Sequence, residues 1–158
     1  MKIIQGNLIS LAQSGAFDII IHGCNCFNNM GSGLAPQMAK AFGCDKFLME
    51  AEQYKGDYNK LGQIDWQKYA NINCPTFLNV INAYTQYWPG KPSPGCSIPL
   101  DYDALRLCLR KVNYTFKGQH IGLPWIGCGL AKGNQDIVAQ IISEELTDMQ
   151  VTIVEYKP

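Results

Sequence analysis

The chain has 158 residues, 47% of them hydrophobic, which suits one domain with a sizeable core. Its 13 basic residues balance its 13 acidic ones, so the basic excess of a general nucleic-acid binder is missing. No apolar run approaches the ~20 residues of a membrane span. Neither nucleic acid nor membrane is expected as a partner.

No basic segment leads into an apolar one at the start, so a secretory signal is not expected. The seven cysteines are an odd number without the spacing of a small disulfide scaffold. A cytoplasmic protein with reduced thiols follows as the expectation. Asp18-Ile19-Ile20-Ile21-His22 is a run of β-branched residues that stops at Gly23, the pattern of a strand buried on both faces. Residues 34–42 suit a helix, with Pro36 tolerated in its first turn. Residues 45–55 read as a second helix, and strands are expected near residues 63–69 and 76–83. Residues 84–99 hold Pro89, Pro92, Pro94, Pro99, Gly90 and Gly95 and read as a long loop, a feature often functional in compact domains.

Leu105, Cys108, Leu109, Val112 and Phe116 recur at helical spacing behind Asp101, an N-cap residue type. A strand near residues 120–124 follows. Val138, Ile141, Ile142 and Leu146 repeat the helical pattern behind Asn134, and residues 151–156 close as a strand. With no repeat or linker, alternating strands and helices predict a single domain over residues 1–158, a three-layer α/β/α sandwich around a mixed sheet.

Two glycine-rich stretches lie between an apolar strand and a helix: residues 23–33 (GCNCFNNMGSG) and residues 127–133 (GCGLAKG). Glycine permits positive φ and lets a ligand approach the backbone. Amides at a helix N-terminus hold anions without lysine or arginine. In open α/β sheets such loops sit beyond the carboxyl ends of the strands, where ligands bind. The sequence contains no G-x-x-x-x-G-K-[ST] loop and no G-x-G-x-x-G fingerprint. The spacing alone leaves two readings open, a site for a phosphate-bearing ligand or simple tight turns.

His22, Asn25, Met30, Gly31, Gly33, Leu34 and Ala35, followed much later by Pro124, Ile126, Gly127, Gly129 and Leu130, resemble the two ligand loops of macrodomains. Gly6-Asn7-Leu8 is similar to the family's early Gly-Asp-[IL], with Asn in place of Asp, and the last strand also matches. The likeness is nearest to the subgroup of ADP-ribose-1″-phosphatases and terminal ADP-ribose glutamate hydrolases, which includes phage members.

The resemblance implies ADP-ribose or a derivative as ligand and no cofactor. It places Asp18 at the adenine amino group, Tyr156 on the adenine face, and Asn25 at the distal ribose. Met30, Gly31, Ser32 and Gly33 from the first loop, with Gly127, Cys128, Gly129 and Leu130 from the second, would enclose the ligand. His22 and Asn25 are the candidate catalytic residues. Each has an ordinary alternative: a strand-start aspartate, a core tyrosine, a turn asparagine, a satisfied core histidine. Lys91 and Lys132 are candidates to neutralise a phosphate. Cys24 and Cys26 form Cys-x-Cys, but no second pair accompanies them, so no metal site is expected.

The activity implied is hydrolysis of ADP-ribose-1″-phosphate to ADP-ribose and phosphate. The competing readings are a non-catalytic ADP-ribose reader or sequestering protein, and an ADP-ribosyl-glutamate ester hydrolase. For the last, the family's covalent lysine is missing from Val80-Ile81-Asn82-Ala83-Tyr84, and Ala131 stands where a resolving aspartate would follow Leu130.

Overall fold

The computed structural model describes residues 1–70, 76–90, 94–96 and 98–157. Six strands form one sheet: β1 (Lys2–Gly6), β2 (Ile19–Asn25), β3 (Ile64–Ala70), β4 (Phe77–Gln86), β5 (His120–Leu123) and β6 (Gln150–Tyr156). Their order is β1-β6-β5-β2-β4-β3. All neighbours are parallel except the β3–β4 pair at one edge.

Two helices cover each face. Leu8 and Ala12 of α1 (Leu8–Gln13) and Met38 and Phe42 of α2 (Ala35–Phe42) pack on Ile20, Leu78, Val80 and Val154. On the other face α3 (Tyr102–Thr115) and α4 (Gln135–Glu145) cover Ile19, Ile21, Ile81, Ile121 and Ile153. Successive strand residues face opposite sides, so Ile19, Ile20 and Ile21 serve both cores and are fully buried. The expected three-layer sandwich with a mixed sheet is the observed fold, and it explains why that run lacks polar alternation.

The caps also form as read. Asp101 accepts from the Ala104 amide, and Asn134 accepts from the amides of Asp136 and Ile137. β1 and α1 were not read from the sequence. Their signal was Asn7 ahead of Leu8, Leu11 and Ala12, and Asn7 does cap α1 by accepting from the Ser10 amide.

Two expectations are corrected. Residues 45–55 form no α-helix; they make short 3-10 turns at Cys44–Lys46, Leu48–Glu50 and Glu52–Tyr54, separated by extended backbone at Phe47 and Ala51. Side chains from elsewhere take the backbone groups a helix would use. Asn28 donates to the carbonyls of Glu50 and Ala51, and Asp65 accepts from the Met49 amide. The stretch read as loop from residue 84 begins as strand, because β4 runs to Gln86 and the Thr85 carbonyl accepts from Asp101.

Candidate functional site

The two glycine loops face each other beyond the carboxyl ends of β2 and β5 and enclose a cavity of about 260 Å³. Its walls include Asn25, Met30, Ser32 and Gly33 from the first loop and Gly129 and Leu130 from the second, with Gln86 and Gly90 from the end of β4 and the turn after it. A second cavity of about 620 Å³ adjoins it at the carboxyl ends of β1 and β6, lined by Asn7, Val154, Glu155 and Tyr156. Gly33, Leu34, Pro124 and Trp125 belong to both, so the two are an inner and an outer lobe of one cleft.

The inner lobe is walled by the backbone of the two loops and by neutral side chains. Among the described residues, Ser32, Gly33 and Leu34 have amides without a protein acceptor, as do Gly129, Leu130 and Ala131 opposite. The first row leads into α2, whose N-cap Leu34 supplies no capping side chain, so the positive end of that helix faces the lobe. The second row differs from expectation in one respect. Asn134 already satisfies the start of α4, so only the loop amides before it are available. No described residue lining the inner lobe carries an ionised side chain. Lys132 is exposed outside both lobes, and Lys91 lies outside the described residues.

His22 is 1% exposed and lines the inner lobe. Its tautomer is fixed by geometry. The Asn82 side-chain nitrogen donates to the Cys44 carbonyl at 2.9 Å, which turns Asn82 Oδ1 toward His22. His22 Nε2–H donates to that oxygen at 2.7 Å. Nδ1 therefore keeps its lone pair, buried and without a partner among the described residues, as are Tyr84 Oη and Thr85 Oγ1. Burial pulls the His22 pKa down to about 4 against the opposing pull of the Asn82 bond, leaving the ring neutral near pH 7. The sulfurs of Cys24 and Cys44 lie 3.5 and 3.6 Å from Nε2. Burial raises both thiols, Cys44 to about 12, so neither is a ready nucleophile. Among the described residues no group of three or more His, Cys, Asp or Glu side chains is placed to hold a metal ion.

Asn25 is buried in the inner lobe and also builds its own loop. Its Nδ2 donates to the Asn29 carbonyl at 2.7 Å, and its Oδ1 accepts from the Phe27 amide at 2.9 Å. One amide hydrogen and one lone pair remain for a ligand. Beneath the loop, Asn28 sits at φ 56° and its Oδ1 accepts from the buried Lys60 ammonium. Lys60 also lies 3.4 Å from Glu50.

Three expected ligand residues are not brought into the cleft. Asp18 stands at the amino end of β2, ~20 Å of strand from the loops at ~3.3 Å per residue. Its carboxylate accepts from the His120 amide at 2.8 Å and ties β2 to β5. Gly31 has its amide on Asn29 Oδ1 and faces a separate surface hollow. Cys128 turns its sulfur to the Ile126 carbonyl and packs against the α3–α4 core. Tyr156 does reach the outer lobe, where it is 64% exposed. Sequence reasoning missed Trp125, which walls both lobes and whose Nε1–H donates to Glu155 Oε1 at 3.1 Å. It lies two residues before Gly127, in the stretch that resembles the second ligand loop. It also missed Asn7 as a wall of the outer lobe.

A parallel-dominated sheet with two helices on each face, and a cleft of amide-lined loops over its strand ends, defines an α/β ligand-binding domain. The chain belongs to the macrodomain family: the family model for the Macro domain matches residues 21–142. It is 34% identical to the "Uncharacterized 17.5 kDa protein in tk-vs intergenic region" of Enterobacteria phage T4, over all of this chain and 97% of that protein. A crystal structure from Bacteroides thetaiotaomicron is 28% identical, with TM-score 0.77, covering 98% of this chain and 99% of that one. Thermosipho africanus DarTG in complex with ADP-ribose shares the fold at 15% identity, with TM-score 0.71 over 99% of this chain and 41% of that one.

Proposed function

We propose that this protein binds ADP-ribose along both lobes and hydrolyses ADP-ribose-1″-phosphate to ADP-ribose and phosphate. The observation that carries the reading is the pair of amide rows without a protein acceptor, residues 32–34 and 129–131, on the two loops that wall an inner lobe in which no described lining residue is a cation. Such rows hold a diphosphate by hydrogen bonding and the helix dipole. The base then lies in the outer lobe between Trp125 and Tyr156, and the distal ribose reaches Asn25. DarTG, which shares the fold, is solved in complex with ADP-ribose, and that supports the ligand class.

Phosphoryl transfer passes through a loose, metaphosphate-like transition state that needs positioning and charge stabilisation more than a strong base. The inner lobe offers that balance. Water attacks the terminal phosphorus, the bond to the C1″ oxygen breaks, and the amides stabilise the equatorial oxygens. His22 Nδ1, an orphaned acceptor, orients the water. Asn25 holds the ribose with what remains of its amide.

The absence of an ionised side chain among the described residues lining the inner lobe favours a second reading, a non-catalytic ADP-ribose binder. Purified protein incubated with ADP-ribose-1″-phosphate decides between them. Release of inorganic phosphate that disappears in His22→Ala supports the hydrolase. Tight calorimetric binding with no release leaves the binder, and no binding at all sinks both.

A further inference from the structure

Lys60 stands between two acceptors beneath the first glycine loop. Its ammonium donates to Asn28 Oδ1 at 2.5 Å and lies 3.4 Å from Glu50 Oε2, beyond the ~2.7–2.9 Å of a charge-assisted bond to a carboxylate. The cation is thus committed to the loop rather than to the acid. Asn28 in turn donates to the carbonyls of Glu50 and Ala51 at 3.0 and 2.9 Å. Its neighbour Asn29 is tied through its carbonyl to Asn25, a wall of the inner lobe. The side chains of Lys60 and Glu50 are 1% and 2% exposed, so water and salt screen their charges little. Asp65 on β3 and Asp45 after α2 add negative charge around Glu50, and Cys24, Cys26, Cys44 and Tyr84 also surround it. Burial lifts the thiols and the phenol, Cys26 to about 11 and Cys44 to about 12, so they keep their protons near neutral pH. Burial also lifts Glu50, against the pull of Lys60, to about 7.

Resting on the reading of the cleft as an ADP-ribose site, we infer that Glu50 is a proton-binding site linked to the cleft through Lys60 and Asn28, and that the protein takes up a proton from solvent at Glu50 when ADP-ribose binds. An ionised Glu50 draws the ammonium toward itself and away from Asn28, which loosens the loop. It also places a negative charge beneath amides that are to hold a diphosphate. A protonated Glu50 leaves the cation to Asn28 and its positive charge unopposed. Both effects have the same sign, so the ligand favours the protonated acid, and by linkage the protonated acid favours the ligand. Affinity therefore rises as pH falls through the titration of Glu50.

The experiment is calorimetry of ADP-ribose binding to wild type and Glu50→Gln, in buffers of different ionisation enthalpy between about pH 6 and 8. The diphosphate of ADP-ribose is a diester that stays ionised throughout and brings no proton of its own. Wild type takes up a fraction of a proton near pH 7 and binds about fivefold more tightly at about pH 6 than at about 8, the lower end of ordinary coupling between sites. Glu50→Gln, which imitates the protonated acid, binds without uptake and with an affinity that stays level across the range. Carboxyl carbon-13 shifts of labelled wild type give the same reading without a variant, because the midpoint of Glu50 rises on saturation with ADP-ribose. Uptake that persists in folded Glu50→Gln, or a Glu50 midpoint that does not move when wild type is saturated, overturns this inference and leaves the ligand class standing. Folded wild-type protein that binds no ADP-ribose overturns the ligand class and this inference together.

Discussion

Lys60 and Asn28 meet beneath the first glycine loop, the buried ammonium donating to an asparagine held in left-handed backbone conformation. The same ammonium faces Glu50 and lies 4.7 Å from the centre of the Tyr84 ring. Removing the cation leaves Asn28 and Glu50 without their partner. Breaking a buried pair costs ~3–5 kcal/mol, so Lys60→Met should lower stability by about 3 kcal/mol in urea unfolding near neutral pH. ADP-ribose affinity should fall as well, because Asn28 no longer pins the loop. A variant as stable as wild type would show that the network is dispensable.

Glu50 and His22 act oppositely on stability as pH changes. Burial raises Glu50 to about 7, so the folded protein holds a proton that the unfolded chain has released, and stability falls as pH rises from about 4.5 to 7. His22 sits at about 4 when folded against 6.5 unfolded, so its contribution is lost as pH falls from about 6.5 toward 4. The two partly cancel in wild type. In Glu50→Gln the histidine effect is no longer opposed, and the urea midpoint should climb between about pH 4 and 6.5. A flat or falling profile in that variant would contradict the assignment.

Because His22 stays neutral down to about 4, its titration should add no step to phosphate release between about pH 6 and 8, beyond those of the substrate phosphate, whose second pKa is about 6, and of Glu50. A further step near 6.5, present in Glu50→Gln and lost in His22→Ala, would mean that His22 is solvated when ligand binds.

The glycines of the second loop separate function from folding. A Cβ at Gly129 meets no atom within 4 Å, so Gly129→Val should unfold like wild type yet lose ADP-ribose binding by filling the inner lobe. Gly127 has φ 71°, and a Cβ there would lie 2.6 Å from Leu100. Gly127→Ala should therefore destabilise the protein, by about 1–3 kcal/mol for overpacking alone. Normal affinity in Gly129→Val would show that ligand does not approach that backbone.

Asp18→Ala should leave ADP-ribose affinity unchanged and lower stability by about 1–3 kcal/mol, since it strands the His120 amide between two strands. A large loss of affinity with unchanged stability would return Asp18 to the ligand.

Among the described residues no lysine lines either lobe. Turnover through a lysine–sugar Schiff base, the route of a glutamate-ester hydrolase with a covalent lysine, is therefore not expected. Borohydride added during turnover should trap no adduct by intact mass. A mass gain matching ADP-ribose, abolished by one lysine substitution, would replace the phosphatase reading.

What the sequence alone determined were features set by short-range chemistry. The doubly buried strand is visible because Ile19, Ile20 and Ile21 leave no polar residue to face water. The caps at Asp101 and Asn134 are visible because a cap acts within three residues. The two loops are visible because glycine clusters are rare between a strand and a helix. Tertiary structure decided everything that depends on direction and distance. Asp18 precedes β2 and Asn25 ends it, so one lies at the amino end and the other at the ligand end, and parallel pairing fixes which end gathers the loops. Asn7 reaches the cleft only because β1 pairs with the C-terminal β6, some 150 residues away. Residues 45–55 look helical in isolation, but Asn28 and Asp65 claim backbone groups that a helix needs. In each case a hydrogen bond between residues distant in sequence outweighs a local preference of a fraction of a kcal/mol per residue.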